Sequence, residues 1–142
     1  MSDPLRVVAD VNVLVSAIRT PTGLCGRLID EALTGRWLPV ISGQRIEELE
    51  DVLARPAFRN LLSDEEIARF VLGLRAVAEL VDDPPPIEKQ LTRDPGDDYL
   101  VALAREAHAD GLISGDRDLL DLIDPDPPIW TPSIFMTMIR GG

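Results

Sequence analysis

Short apolar runs that alternate with helix-spaced stretches constrain this chain more than any other feature. Residues 5–9, 37–41, 111–114 and 128–131 read as short strands. Between them, apolar residues recur at helical intervals: Leu24, Cys25, Leu28, Ile29, Ala32 and Leu33 in one segment, Ile46, Leu49, Val52 and Leu53 in another. A further apolar helix is expected over 11–18, broken by Thr20-Pro21-Thr22-Gly23. Gly35 is placed to stop the second helix, Ser42 to cap the third, and Arg55-Pro56 to end it. Ser63 with Glu66 three residues on forms a capping box, so a helix should run from there to about residue 80. Residues 81–95 form a Pro-rich connection that hides a short extended piece. Residues 99–107 make a strongly apolar helix, 117–123 a short helical turn, and 133–139 a closing helix after Pro132. Strands alternating with helices in this way specify an α/β chain with a mainly parallel sheet. At 142 residues a single domain over 1–142 is expected.

In an open parallel sheet, ligands bind outside the carboxyl ends of the strands. Asp10 directly follows the first strand, in "VVADVNVLVSA", and Asp116 follows the strand at 111–114, in "LISGDRDLL". Both therefore belong to one edge of the sheet. Glu48, in "RIEELEDVL", precedes the inward-facing Leu49. Asp98, in "DPGDDYLVALA", stands at the start of the buried helix. Taken singly, each acid has an ordinary structural role. Asp10 suits a turn, Glu48 is one charge among Glu47, Glu50 and Asp51, Asp97 or Asp98 suits a helix cap, and Asp116 caps the short helix after it. Together they form a cluster whose members repel one another unless some bind protons or a cation neutralises them. Mg²⁺ and Mn²⁺ prefer carboxylate and water oxygens. Such an ion orients a phosphate, stabilises its developing charge and lowers the pKa of the attacking water.

Other chemistries lack their residues. His108 is the single histidine, so no Ser-His-Asp set exists, and no P-loop or GxGxxG is present. Lys89 is the single lysine and is badly placed for a receiver-type phosphoryl-transfer site. Asn12 stands where a haloacid-dehalogenase-like phosphatase needs a second aspartate. Cys25, the single cysteine, cannot form an internal disulfide, which fits a reducing cytoplasm. Met-Ser-Asp-Pro-Leu-Arg carries no basic region followed by an apolar stretch, and no run approaches the ~20 residues of a membrane span, so neither signal peptide nor membrane association is expected.

The stretches "VVADVNVLVSAI", "IEELEDVLARPAF", "DPGDDYLVALAREAHADGLISGDRDLL" and "TPSIFMTMI" resemble the PIN domain family over nearly the whole chain. They are most similar to the branch of toxin–antitoxin toxins related to VapC. The resemblance implies a three-layer α/β/α sandwich and Mg²⁺- or Mn²⁺-dependent cleavage of single-stranded RNA. It places the metal-binding acids at Asp10, Glu48, Asp98 and Asp116, with Asp118 helping through water. Asp98 rather than Asp97 is chosen because Leu-Val-Ala follows at the family's spacing, leaving Asp97 for capping and Asp94 to organise the loop. Glu48 rather than Glu47 fits the family's E-L-x-x-V-L pattern. Asn12 and Ser114 match polar positions that orient the ligands from behind. The resemblance also implies a small antitoxin partner that blocks the cleft.

The carboxylate set suits in-line attack of water on an RNA phosphodiester, leaving a 5′-phosphate and a 3′-hydroxyl. The formal charge of −11 is poor for general RNA affinity. A selective substrate, a local arginine strip or a groove in a homodimer or higher oligomer would reconcile the two. Arg19, Arg45, Arg93 and Arg117 lie near the motifs and could contact phosphate, although each is by default a solvated surface residue. Trp37, Trp130 and Cys25 are assigned to packing. The alternative function is a non-catalytic PIN-like module that binds RNA or protein.

Overall fold

The structure, a computed structural model, describes residues 3–86 and 89–141. Five parallel strands form one sheet in the order β3-β2-β1-β4-β5. They are β1 (Leu5–Ala9), β2 (Trp37–Ser42), β3 (Glu79–Val81), β4 (Gly111–Ile113) and β5 (Ile129–Trp130). Helices α1 (Val11–Arg19) and α2 (Leu24–Leu33) connect β1 to β2. Helices α3 (Gly43–Leu53), α4 (Pro56–Arg59) and α5 (Asp64–Val77) connect β2 to β3. Then α6 (Pro95–Glu106) leads to β4, α7 (Arg117–Leu120) to β5, and α8 (Pro132–Gly141) follows.

Alternation along the strands divides the core into two layers. Val7, Ile41 and Ile113 point into a cluster with Leu14, Leu28, Leu49, Leu74 and Phe135, under α1, α2, α3, α5 and α8. Val8, Val40 and Leu112 point the other way, onto Leu100, Leu103 and Ala104 of α6 and Leu119 of α7. The result is helices on both faces of a parallel sheet. Trp37 is buried against Phe135 with ring centroids 5.2 Å apart, and its Nε1 donates to the Leu28 carbonyl. Trp130 stacks on the same phenyl ring at 5.6 Å. Both tryptophans therefore pack.

The punctuation follows the sequence at several points. Gly35 has φ +85° after α2, with its N–H on the Ala32 carbonyl and the Arg36 N–H on the Glu31 carbonyl, a Schellman stop. Ser63 and Glu66 exchange both hydrogen bonds of the capping box. Three expectations fail. The helix after Ser63 ends at Val77, and the extended piece is β3, which overlaps the Pro-rich connection only at Val81 rather than lying within it. Residues 87–88 of that connection lie outside the described residues. The helix expected from residue 99 starts instead at Pro95, capped by Asp94. Proline at the first helical position has φ already set and lacks an N–H that would have no partner there.

Strand order reverses direction between β1 and β4: β1 leads outward to β2 and β3, and β4 leads outward to β5 on the other side. That switch point opens a crevice at the carboxyl edge of the sheet. Asp10 stands in it, its backbone N–H bonded to the Ile113 carbonyl of the neighbouring strand.

Candidate metal centre

The crevice is a polar cleft of about 100 Å³, lined by Asp10, Asn12, Arg45, Glu48, Asp94, Asp97 and Asp116. Each acid has a structural reason for its place. Asp10 caps α1, accepting the Asn12 N–H at Oδ1. Its Oδ2 accepts the hydroxyl of buried Ser114 at 2.9 Å, and the same hydroxyl oxygen accepts the Asp116 N–H. Ser114 thus ties the first and last acids into one rigid unit. Asp116 caps α7 by accepting the Asp118 N–H. Glu48, half-buried on α3, pairs with Arg45 at 2.6 Å. Asp94 accepts the Gly96 N–H as the cap of α6, which is the loop-organising place expected for it.

Asp98 is not in the cleft, contrary to the sequence-based choice. Its Oδ1 accepts the Thr92 N–H at 2.8 Å and the Thr92 hydroxyl at 2.9 Å, and Oδ2 accepts the Leu91 N–H at 3.3 Å. It locks the loop before α6. Asp97 occupies the position expected for it. The cause is helical phase: once α6 begins at Pro95, adjacent residues point about 100° apart. Asp97 then faces the sheet edge, beside Leu100 in the cleft lining, while Asp98 turns back over Thr92.

Asp97 is 5% exposed, and its Oδ2 is buried with no hydrogen-bond partner. Burial, then the Asp116 charge and a hydrogen bond with Asp116, then Asp94 and Asp10, push its pKa up to about 7. One carboxylate oxygen from each of Asp97, Asp116 and exposed Asp118 lie within 4.8 Å of one another. An all-oxygen donor set with an orphaned buried carboxylate oxygen fits a hard divalent cation.

Among the described residues lining the cleft, Arg45 is the only base. It is 7% exposed rather than solvated, and its guanidinium lies 4.1 Å from the centre of the Tyr99 ring. Arg19, by contrast, is exposed and lies over Phe58, and Arg93 and Arg117 are exposed. The buried character of Arg45 and the cleft position of Asp97 are what sequence reading missed. The signal for Asp97 was present: Asp94-Pro95 is a helix start. Burial of Arg45 had none.

A family model described as PIN domain matches residues 6–118. The uncharacterized protein MJ1680 of Methanocaldococcus jannaschii is 27% identical over 121 residues, 84% of this chain and 76% of that protein. The crystal structure of PAE2754 from Pyrobaculum aerophilum superposes with a TM-score of 0.70 at 15% identity, over 97% of this chain and 91% of that one. VapBC2 from Rickettsia felis, solved bound to a DNA fragment from their promoter, superposes with a TM-score of 0.63 at 13% identity, over 89% and 98%. The last two similarities concern fold.

Proposed function

The chain belongs to the PIN domain family, and from that premise we propose that it is a Mg²⁺- or Mn²⁺-dependent endoribonuclease for single-stranded RNA. The observation that carries the reading is the convergence of Asp97, Asp116 and Asp118 around a buried carboxylate oxygen without a partner. Asp97, Asp116, Asp10 and Glu48 would hold the ion, with Asp118 at its exposed side. When bound, the ion supplies charge neutralisation at phosphorus and a more acidic water. Ser114 keeps Asp10 and Asp116 in register, and Asn12 fixes Asp10 through its backbone N–H. Asp98 supports the site from behind by holding the loop that launches α6.

The similarity to a VapBC2 structure supports a toxin role with a small antitoxin partner. Cytoplasmic location, homodimer or higher assembly, and one domain across 1–142 belong to the same proposal. Among the described residues, no helix is long and apolar enough to cross a membrane.

The test is cleavage of a mixed, end-labelled single-stranded RNA pool in Mn²⁺, Mg²⁺ or EDTA. Wild type should cut only with metal, leaving 5′-phosphate ends, and Asp97→Asn should not cut. If wild type leaves RNA intact while Mn²⁺ still raises its melting temperature, the non-catalytic binding module becomes the better reading.

A further inference from the structure

We propose that Arg45 is a substrate-binding residue of this site, gripping a phosphate of the RNA beside the acids. The inference rests on the nuclease reading above. Five carboxylates line the cleft: Asp10, Glu48, Asp94, Asp97 and Asp116. Against them the described lining offers one cation, Arg45. A single divalent ion leaves such a cleft negative, so an incoming phosphate needs another positive group within reach. Guanidinium is suited to this because its planar fork matches two phosphate oxygens at once.

The surroundings hold Arg45 ready. Its backbone N–H donates to the Ser42 hydroxyl at the start of α3. Ser42 in turn contacts the Tyr99 hydroxyl at 2.7 Å, and Tyr99 donates to Asp83. A carboxylate only accepts, so Tyr99 must give its proton to Asp83 and receive the Ser42 hydroxyl proton. The ring, carried by α6, is thereby fixed under the guanidinium by groups from the end of β2 and the loop after β3. A charge clamped in this way loses little conformational freedom on gripping a ligand.

The arginine's own bonding is incomplete. One terminal nitrogen meets Glu48 at 2.6 Å, and Nε is buried with no hydrogen-bond partner. A buried donor without a partner is unusual in a native fold. If Glu48 turns to a cation, the guanidinium is left with donors for an anion. A purely structural Arg45 would do no more than neutralise Glu48, and the two roles predict different results.

The experiment compares wild type with Arg45→Met, which keeps a long stem beneath Tyr99, and with Arg45→Lys. A fluorescein-labelled mixed single-stranded RNA ten-mer is titrated by anisotropy in Ca²⁺, with its intactness checked on a gel, across a range of NaCl. Cleavage in Mn²⁺ is followed in parallel, and Mn²⁺ alone is followed by thermal shift. Arg45→Met should weaken RNA binding about tenfold and reduce the salt slope by about one. It should raise KM more than it lowers kcat, and leave the thermal shift with Mn²⁺ in place. Arg45→Lys should recover part of the affinity. If Arg45→Met binds RNA as wild type does, with the same salt slope, the assignment is overturned while the nuclease reading stands. If wild type itself neither binds nor cuts RNA, both fall together.

Discussion

Asp97 and Asp98 are neighbours in sequence with opposite relations to their surroundings. Asp98 accepts three hydrogen bonds, from the Leu91 N–H and from the N–H and hydroxyl of Thr92. Asp98→Asn should cost about 2 kcal/mol, because an amide turns a donor toward a donor. Urea unfolding should show the loss, while the folded protein keeps its thermal shift with Mn²⁺. Burial, and then the Asp116 charge, push the Asp97 pKa up. Its folded pKa of about 7 lies above the ordinary 3.8, so the native state binds the proton more tightly than the unfolded chain. In EDTA, stability from this group is greatest below about pH 4 and falls as pH rises toward 7. Asp97→Asn should remove that fall and be more stable than wild type at pH 8, by up to about 4 kcal/mol. Chemical denaturation across pH measures it, and the same variant should lose the Mn²⁺ thermal shift. Residue types and strand-end placement made Asp10 and Asp116 legible from sequence. The choice within an adjacent pair was not, since it depends on where a helix begins to turn.

At the scale of elements, phase and close approach decide most of what the sequence left open. Proline at 95 fixes the start of α6 and with it which side chain meets β1 and β4. Reading Asp94-Pro95 as a cap and first residue would have identified Asp97. The strand β3 was hidden because Leu74, Val77 and Leu80 continue a helical spacing, and only pairing with Val40–Ser42 of β2 draws residues 79–81 into the sheet. Gly111 opens β4 directly beneath Trp130: a Cβ there would lie 2.2 Å from the indole ring. Gly111→Ala should therefore force Trp130 off Phe135 and destabilise by about 1–3 kcal/mol, read as a lower urea midpoint. Because β4 carries Ser114 and Asp116 at its end, the same variant should also weaken Mn²⁺ binding without touching a ligand.

The whole molecule carries 25 acids against 14 bases, and several of the acids are concentrated at one crevice. Its field opposes any nucleic acid until that crevice is neutralised. RNA affinity should rise on adding Mn²⁺ and should not rise equally with NaCl of matched ionic strength, a comparison that anisotropy makes directly. The parallel sheet followed from the alternating pattern and the helices on both its faces from the family resemblance, whereas the strand order and the burial of Arg45 could be found only in three dimensions.

The tie between Asp10 and Ser114 spans 104 positions of the chain. A chain emerging from the ribosome exposes its first acid long before β4 is made. At about 5–20 residues per second, the delay is several seconds or more. An N-terminal fragment that stops before residue 114 lacks both the hydroxyl that orients Asp10 and the last acids of the cleft. The cleft is thus completed only once β4 and the turn after it have been made, and a nuclease built on it would stay silent until then.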